Sequence, residues 1–519
     1  MEIIETAKRF IVKISPAQKA AFYGTVIWGL ITHLAVFSAG LMYRDGVNYS
    51  GLCATYTSGR WMLGIIEDIS AEFKGIYQLP YLNGFITIFF IAVAAIFVTY
   101  LLHIKLKFTA ALIGALLISF PGVASLFAFM FTAPAYALSL LMSVLAIYFV
   151  NEKQSLPRIA LGACFVCLSL GIYQAYITVA ASLALIIIIC DGLRDDSAGV
   201  ETLFKKGCVF LLTLLIGLLL YLLVNKLVLA LKDLSLTDYQ NLNKMGQFTF
   251  EQIKTAIYLS YYYQFICVWW GIETAEFFIR FTQAVEIITI LLFAYRLYRE
   301  KKNIGKCIFL LALFALLPIA YNSITLICAN GLLGIHALMR YALVFTYVFP
   351  VVLIEIVVSD TSANKFEKLL SSAVLIVCAF ISFAFTYRDN TAYLNASVSQ
   401  QQAVLYANSM ITRIRDTDGY RDELPVAYIG SFINDKALEF LPGYDTMQIT
   451  MLDLSAKNMV GDMRWRKFYY LHLGWSPEEI TDTSAIAGSS EVKAMPCYPD
   501  DGSIKVINDV VVVKLSDTD

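Results

Sequence analysis

The sequence predicts an all-α polytopic membrane protein with about eleven transmembrane helices and a small C-terminal α/β domain. Hydrophobic residues make up 59% of the 519 positions and charged residues only 15%, a composition that excludes an ordinary soluble protein. Apolar runs of roughly 20 residues, the length that crosses a hydrocarbon layer of ~30 Å as a helix, recur along the chain. After residue 386 the composition becomes polar, which indicates a separate domain.

Eleven apolar runs are the candidate spans. They lie near residues 20–42, 82–103, 108–127, 133–150, 159–171, 175–190, 207–230, 282–297, 305–322, 338–358 and 368–386. Because the run at 108–127 contains Pro121 and the next begins beside Pro134, re-entrant pieces between 108 and 190 stay open.

Charge between the runs predicts the orientation, because Lys and Arg are retained on the cytoplasmic side. Lys8, Arg9, Lys13 and Lys19 precede or begin the first run, and Arg296 starts a basic cluster after the eighth. We therefore expect a cytoplasmic N-terminus, external loops at 43–81 and 231–281, and an external C-terminal part. The net charge of −1 with scattered basic residues predicts no nucleic-acid partner.

Two domains are predicted, a membrane domain at 1–386 and an extracytoplasmic domain at 387–519. In the second, residues 395–415 have helical spacing, whereas Val426–Ile429 and 510–513 are typical of strands. The long loop 231–281 is rich in aromatic residues, Tyr263 among them. They form either an aromatic belt at the membrane interface or a surface that binds a lipid or a sugar.

The first external loop carries the strongest candidate site. Tyr43, Arg44 and Asp45 follow the first run directly, and Gly46 frees the backbone to turn there. A carboxylate at this interface can deprotonate a hydroxyl or bind a metal. Equally, Arg44 and Asp45 can be a capping and snorkelling pair at a helix end.

Two arginines are candidates for binding a phosphate. Arg60 precedes Trp61, a pairing suited to a phosphate beside a sugar or lipid, although it also fits the interfacial anchor of a short horizontal helix. His336 and Arg340 share one helix face, and Arg340 either holds a lipid phosphate or snorkels. Together, Arg60 and Arg340 could clamp a phosphate in front of Asp45.

This layout resembles the Gtr-type bacterial glucosyltransferases, within the GT-C class of membrane glycosyltransferases. The features that carry the resemblance are an acidic first external loop followed by Gly59, Arg60 and Trp61, long external loops and an external C-terminal domain. The residue-level likeness is concentrated in 43–72. Such families often have two adjacent acids in the first loop, whereas this chain has Arg44 and Asp45, which leaves a second carboxylate and a divalent metal open.

The resemblance implies a hexosyltransferase of the bacterial cell membrane, and glucose is the expected sugar. Such an enzyme moves the sugar from a polyprenyl-phosphate donor to a cell-surface glycan on the outer face, with inversion. Asp45 matches the catalytic base, and Arg60 and Arg340 would stabilise the donor phosphate. Tyr43, Arg44, Trp61 and His336 would support the substrates, and Mg²⁺ or Mn²⁺ is the metal to test.

The main alternative is a transporter or flippase for a lipid-linked glycan, which predicts charged residues inside the spans. The span interiors are nearly free of charge, with Lys226 and Glu355 towards span ends, so the sequence favours the enzyme. A scaffold of envelope assembly is a further alternative that would need neither Asp45 nor Arg60.

Overall fold

The computed structural model of the chain describes most of both predicted parts. The described residues are 14–41, 55–73, 79–195, 198–237, 249–266, 276–299, 303–328, 335, 337–359, 364–430 and 472–517. They fall into two compact units: the first holds residues 14–38 and the described residues between 55 and 390, and the second holds residues 39–41 and the described residues from Thr391 onward.

Long apolar helices make up the first unit. Ten helices of the described residues are long and apolar enough to cross a membrane, and an eleventh, Leu156–Ile172, is shorter. In chain order the helices are α1 (Pro16–Ala39), α2 (Trp61–Glu72), α3 (Pro80–Leu101), α4 (Lys107–Ser119), α5 (Pro121–Ala128), α6 (Ala133–Glu152), α7 (Leu156–Ile172), α8 (Ile177–Arg194), α9 (Val200–Leu231), α10 (Phe250–Phe265), α11 (Glu276–Arg299), α12 (Ile304–Tyr321), α13 (Ile324–Ile327), α14 (Phe345–Ser359) and α15 (Lys365–Arg415). Short 3₁₀ segments, Gln174–Tyr176 and Ala337–Val344, lead into α8 and α14. The predicted polytopic all-α class is confirmed.

The third predicted run is broken at Pro121, which separates α4 from α5. Proline has no N–H, so the carbonyl of Leu117 loses its helical donor there. The hydroxyl of Tyr341 replaces it, donating to the Leu117 oxygen at 2.7 Å. The ring Nε2 of His33 lies 2.8 Å from the next carbonyl, that of Ile118. Side chains from other segments therefore form the hydrogen bonds of the carbonyl groups at this break.

Helices α6, α7 and α9 pack closely because small and hydroxylated residues line their contacts. A Cβ on Gly217 of α9 would meet Val166 of α7 at 2.4 Å, so only glycine allows this approach. Between α6 and α7, the hydroxyls of Ser139 and Ser143 lie 2.9 and 2.8 Å from that of Ser169. These contacts hold α7 within the bundle although it is only 17 residues long.

The second unit contains a three-stranded sheet. Strand β3 (Val510–Lys514) lies in the centre, parallel to β1 (Val426–Ile429) and antiparallel to β2 (Ile504–Ile507). Two short helices, α16 (Ser484–Ala487) and α17 (Ser490–Lys493), follow β1 in the chain. Both strand-like segments of the sequence are strands, and the segment 395–415 is the last part of α15. The predicted small α/β part is present.

Candidate functional site

A tight turn at residues 55–60 presents Arg60 at the start of α2. The backbone N–H groups of Gly59 and Arg60 donate to the carbonyls of Tyr56 and Thr55 at 3.0 and 2.9 Å. Gly59 has a φ of +75°, a left-handed conformation that glycine adopts without strain. The predicted Gly-Arg-Trp segment is therefore a defined turn, followed by a helix that begins at Trp61.

Two buried side chains from distant parts of the chain fix this turn. Gln174, in the 3₁₀ segment before α8, donates its Nε2 hydrogens to the Ser58 carbonyl at 2.9 Å and to the Tyr221 hydroxyl at 3.1 Å. The Tyr221 hydroxyl in turn donates to the Gly59 carbonyl at 3.0 Å. Because buried carbonyls need donors, this network specifies the position of the turn.

Arg60 lies against two stacked tyrosines. Its Nη1 donates to the hydroxyl of Tyr136 at 3.2 Å, and its guanidinium lies 5.2 Å from the ring centre of Tyr173. The two rings stack with centroids 4.3 Å apart. A guanidinium beside an aromatic face is held by the ring quadrupole and by stacking.

Arg340 is connected to the same group of rings through its chain neighbour Tyr341. Tyr173 contacts Tyr176 at 5.4 Å, and Tyr176 contacts Tyr341, the neighbour of Arg340 in the chain, at 6.0 Å. We call Tyr136, Tyr173, Tyr176 and Tyr341 the tyrosine cluster. Arg60 thus contacts the cluster directly, and Arg340, 280 positions further along the chain, is linked to it as the chain neighbour of Tyr341.

The environment of Arg340 is buried and aromatic. Arg340 is only 3% exposed, and its guanidinium lies 4.4 Å from the ring centre of Tyr263 in α10. Burial raises the pKa of the nearby Cys328 thiol to about 11, while the positive charge of Arg340 acts in the opposite direction. The Arg340 charge thus acts in a region of low dielectric constant, where electrostatic interactions are stronger than in water.

Trp61 is buried within the protein. Its ring lies against Gly171, where an added Cβ would approach Cε2 at 2.6 Å, and it packs with Val166, Leu170 and Tyr221. This position differs from that of a lipid-facing anchor. Trp61 supports the start of α2 and so supports Arg60.

Acidic residues of α2 stabilise the same turn. Thr55 donates to Glu67 at 3.0 Å, and Tyr56 donates to Asp68 at 2.5 Å. Lys232, just after α9, lies 3.2 Å from Asp68. The Tyr56 hydrogen bond and Lys232 hold the pKa of Asp68 below its usual range. These contacts attach the turn to both α2 and the end of α9.

Four predicted site residues, Tyr43, Arg44, Asp45 and His336, lie outside the described residues. Within the described part of the chain, no group of three or more His, Cys, Asp or Glu side chains lies close enough together to hold a metal ion.

Sequence reasoning missed several buried acids, among them Glu286 and Asp389. Glu286 is 7% exposed inside the apolar stretch of α11, and Asp389 is fully buried in α15 beside Arg388. The expectation of nearly charge-free spans did not take account of Glu286, which lies within the predicted run 282–297.

Glu286 lines two neighbouring cavities. The smaller, of about 10 Å³, also borders Tyr263, Gln264 and Tyr347. The larger, of about 90 Å³, has a mainly apolar wall formed by α10, α11, α12 and α14. An acid at this depth in an apolar bundle usually marks a functional region.

The sequence model of the family described as Glucosyl transferase GtrII matches residues 34–347, more than half of the chain. The chain belongs to this family. Comparisons with curated proteins and with solved structures find no match. As a member of the GtrII family it is a membrane glycosyltransferase, and the matched range includes Asp45, Arg60, Arg340 and Glu286.

Proposed function

We propose that this GtrII-family enzyme transfers a glucosyl group from a polyprenyl-phosphate donor to a cell-surface glycan. The observation that carries the proposal is that Arg60 contacts the tyrosine cluster, and that Arg340 lies against Tyr263 and is the chain neighbour of Tyr341, a member of that cluster. Guanidinium groups bind phosphate oxygens in pairs, and aromatic rings supply flat apolar faces for a sugar. A lipid-linked sugar phosphate needs both kinds of contact within a membrane protein.

In the proposed reaction, Asp45 accepts the proton of the acceptor hydroxyl while the acceptor oxygen attacks C1 of the sugar. The bond between C1 and the phosphate oxygen breaks, and its electron pair leaves with the polyprenyl phosphate. Attack from the opposite face inverts the configuration at C1. Arg60 and Arg340 stabilise the negative charge that develops on the leaving phosphate.

The proposed orientation has the N-terminus in the cytoplasm and the 43–81 loop outside, in agreement with the basic residues at 8–19 and 296–306. Catalysis then occurs on the outer face, where the isoprenoid chain stays in the bilayer and the head group reaches the loop. His336, Tyr43 and Arg44 are proposed to contact the substrates there. A cell-surface glycan is the acceptor that this face exposes.

A transporter or flippase for a lipid-linked glycan is the second candidate, and Glu286 favours it. Buried acids within spans often lie on transport pathways. The enzyme remains the better supported function, because the family match covers both Arg60 and Arg340.

The test uses purified full-length protein in nanodiscs with polyprenyl-phosphate glucose and a surface glycan, with and without Mg²⁺ or Mn²⁺. We expect glucose transfer by the wild type and a loss of several orders of magnitude in Asp45→Asn protein that stays folded. Arg158→Ala is the control and should retain activity. Arg158 lies over the ring of Phe149 near the start of α7, at the end of that helix opposite Tyr173. Protein-dependent movement of lipid-linked glucose across proteoliposomes without transfer would support the flippase instead.

A further inference from the structure

The carboxylate of Glu286 joins three helices through one glutamine. Gln264, near the end of α10, donates from Nε2 to Glu286 Oε1 in α11 at 2.8 Å. The same nitrogen donates to the Thr346 hydroxyl in α14 at 3.0 Å. Glu286, Gln264 and Thr346 are all buried, and a hydrogen bond in such an environment is stronger than in water.

This glutamine is the chain neighbour of the tyrosine that covers Arg340. Tyr263 lies 4.4 Å from the Arg340 guanidinium, and both Tyr263 and Gln264 border the small cavity that Glu286 lines. Because the two residues share a peptide unit, a backbone shift at Gln264 would be passed to the ring that lies over Arg340. The coupling requires no long pathway, only one hydrogen bond and one peptide unit.

Other contacts of α10 fix its sides but not this tyrosine directly. The Ser260 hydroxyl lies 3.0 Å from that of Thr325, and Tyr261 donates to the Ala315 carbonyl at 2.6 Å. Gln283 of α11 donates to the Phe265 carbonyl at 3.1 Å. The bonds of Ser260 and Tyr261 should keep the body of the helix in place when the bond to Glu286 is lost, while the bond from Gln283 limits how far its last turn shifts.

We propose that Glu286 is a positioning residue for Arg340, acting through Gln264 and Tyr263. The inference rests on the proposed function, in which Arg340 binds the donor phosphate. It gives Glu286 the role of a buried hydrogen-bond acceptor and assigns it no proton transfer. Glu286 touches neither the sugar nor the phosphate.

The first test is enzymatic and uses full-length protein with polyprenyl-phosphate glucose. Glu286→Leu removes the acceptor and should lower kcat/KM roughly tenfold, whereas Glu286→Gln keeps an acceptor oxygen and should stay within about twofold of wild type. Thr289→Val is the matched control, because Thr289 lies one turn along α11, borders the larger cavity and bonds only within its own helix, to Val285 at 2.6 Å. It should leave kcat/KM unchanged.

A double-mutant cycle separates positioning from a general loss of structure. In an Arg340→Ala background, Glu286→Leu should cause no further loss, because its effect is exerted through Arg340. An equal tenfold loss in both backgrounds would overturn the proposal. So would a large loss in Glu286→Gln, since it would show that the charge itself is required.

The second test requires no catalysis. Phenylglyoxal modifies accessible arginines, and mass spectrometry of the peptide bearing Arg340 gives its labelling rate in substrate-free protein. We expect faster labelling in Glu286→Leu and an unchanged rate in Thr289→Val; an unchanged rate in both would contradict the proposal. If Glu286→Leu does not fold, Gln264→Leu removes the same bond from the other side. A wild type that transfers no glucose refutes the proposed function, whereas the labelling rates still decide the positioning role.

Discussion

Substitution of Gly59 by alanine tests whether the turn before Arg60 determines activity. At a φ of +75°, alanine costs roughly 1–2 kcal/mol of strain. Its Cβ would lie 2.7 Å from the Tyr221 hydroxyl, so that hydroxyl must move and one hydrogen bond, about 1 kcal/mol, is lost. The sum of about 2–3 kcal/mol corresponds to a roughly 30- to 150-fold smaller population of correctly placed Arg60.

The assay is kcat/KM for glucosyl transfer by Gly59→Ala, Tyr221→Phe and the double variant, each checked for folding by size-exclusion chromatography. Tyr221→Phe removes two hydrogen bonds and should lower kcat/KM about tenfold. Tyr221→Phe also removes the hydroxyl oxygen that the Cβ of the alanine at position 59 would approach. The losses of kcat/KM from the two substitutions should therefore be less than additive. Gly59→Ala protein with at least a third of wild-type activity, or strictly additive losses, would refute the reasoning.

Three further substitutions test other contacts. Gly171→Ala should displace the Trp61 ring and cost about 1–3 kcal/mol, measured as a lower Tm in detergent; an unchanged Tm would show that the ring yields freely. Glu355 accepts hydrogen bonds from the N–H groups of Lys105 and Leu106 at 2.8 and 3.2 Å. Glu355→Leu removes this acceptor and should lower the free energy of unfolding by about 2–4 kcal/mol in a denaturant titration. Glu355→Gln keeps an acceptor oxygen and should have a smaller effect. Asp68→Asn should cost less than ~1 kcal/mol at neutral pH because the pair is exposed. The pKa of Asp68 is lowered in the folded protein, so its contribution to stability is present above the ordinary aspartate pKa. That contribution is lost as the pH falls through the folded pKa. The difference in unfolding free energy between wild type and Asp68→Asn should therefore disappear at acidic pH.

The sequence contains most of what determines the membrane fold. Each of the eleven apolar runs lies within or overlaps a helix, because spanning requires length and apolar composition, both of which are local properties. Pro121 also acts locally, since any proline removes a helical donor. The side chains that replace the donor, His33 and Tyr341, could not be assigned, because that depends on how distant helices pack.

The candidate site was predicted only in part, because local sequence features identify its arginines but not the residues that pack around them. Arg60 and Arg340 stand out as charges at the ends of apolar runs, but Tyr136, Tyr173 and Tyr176 look like ordinary core residues of such runs. Their role beside Arg60 comes from long-range packing. The roles of Asp45 and His336 stay predictions, because both residues lie outside the described residues.

Binding of polyprenyl phosphate to wild type, Arg60→Ala, Arg340→Ala and the double variant tests the central claim that both arginines serve one phosphate. Affinities can be measured in nanodiscs without sugar or acceptor, with Arg158→Ala as the control arginine. We predict that each single substitution weakens binding at least tenfold and that the double variant loses less than the sum of the two. Unchanged affinity in Arg340→Ala, or strictly additive losses, would contradict the account.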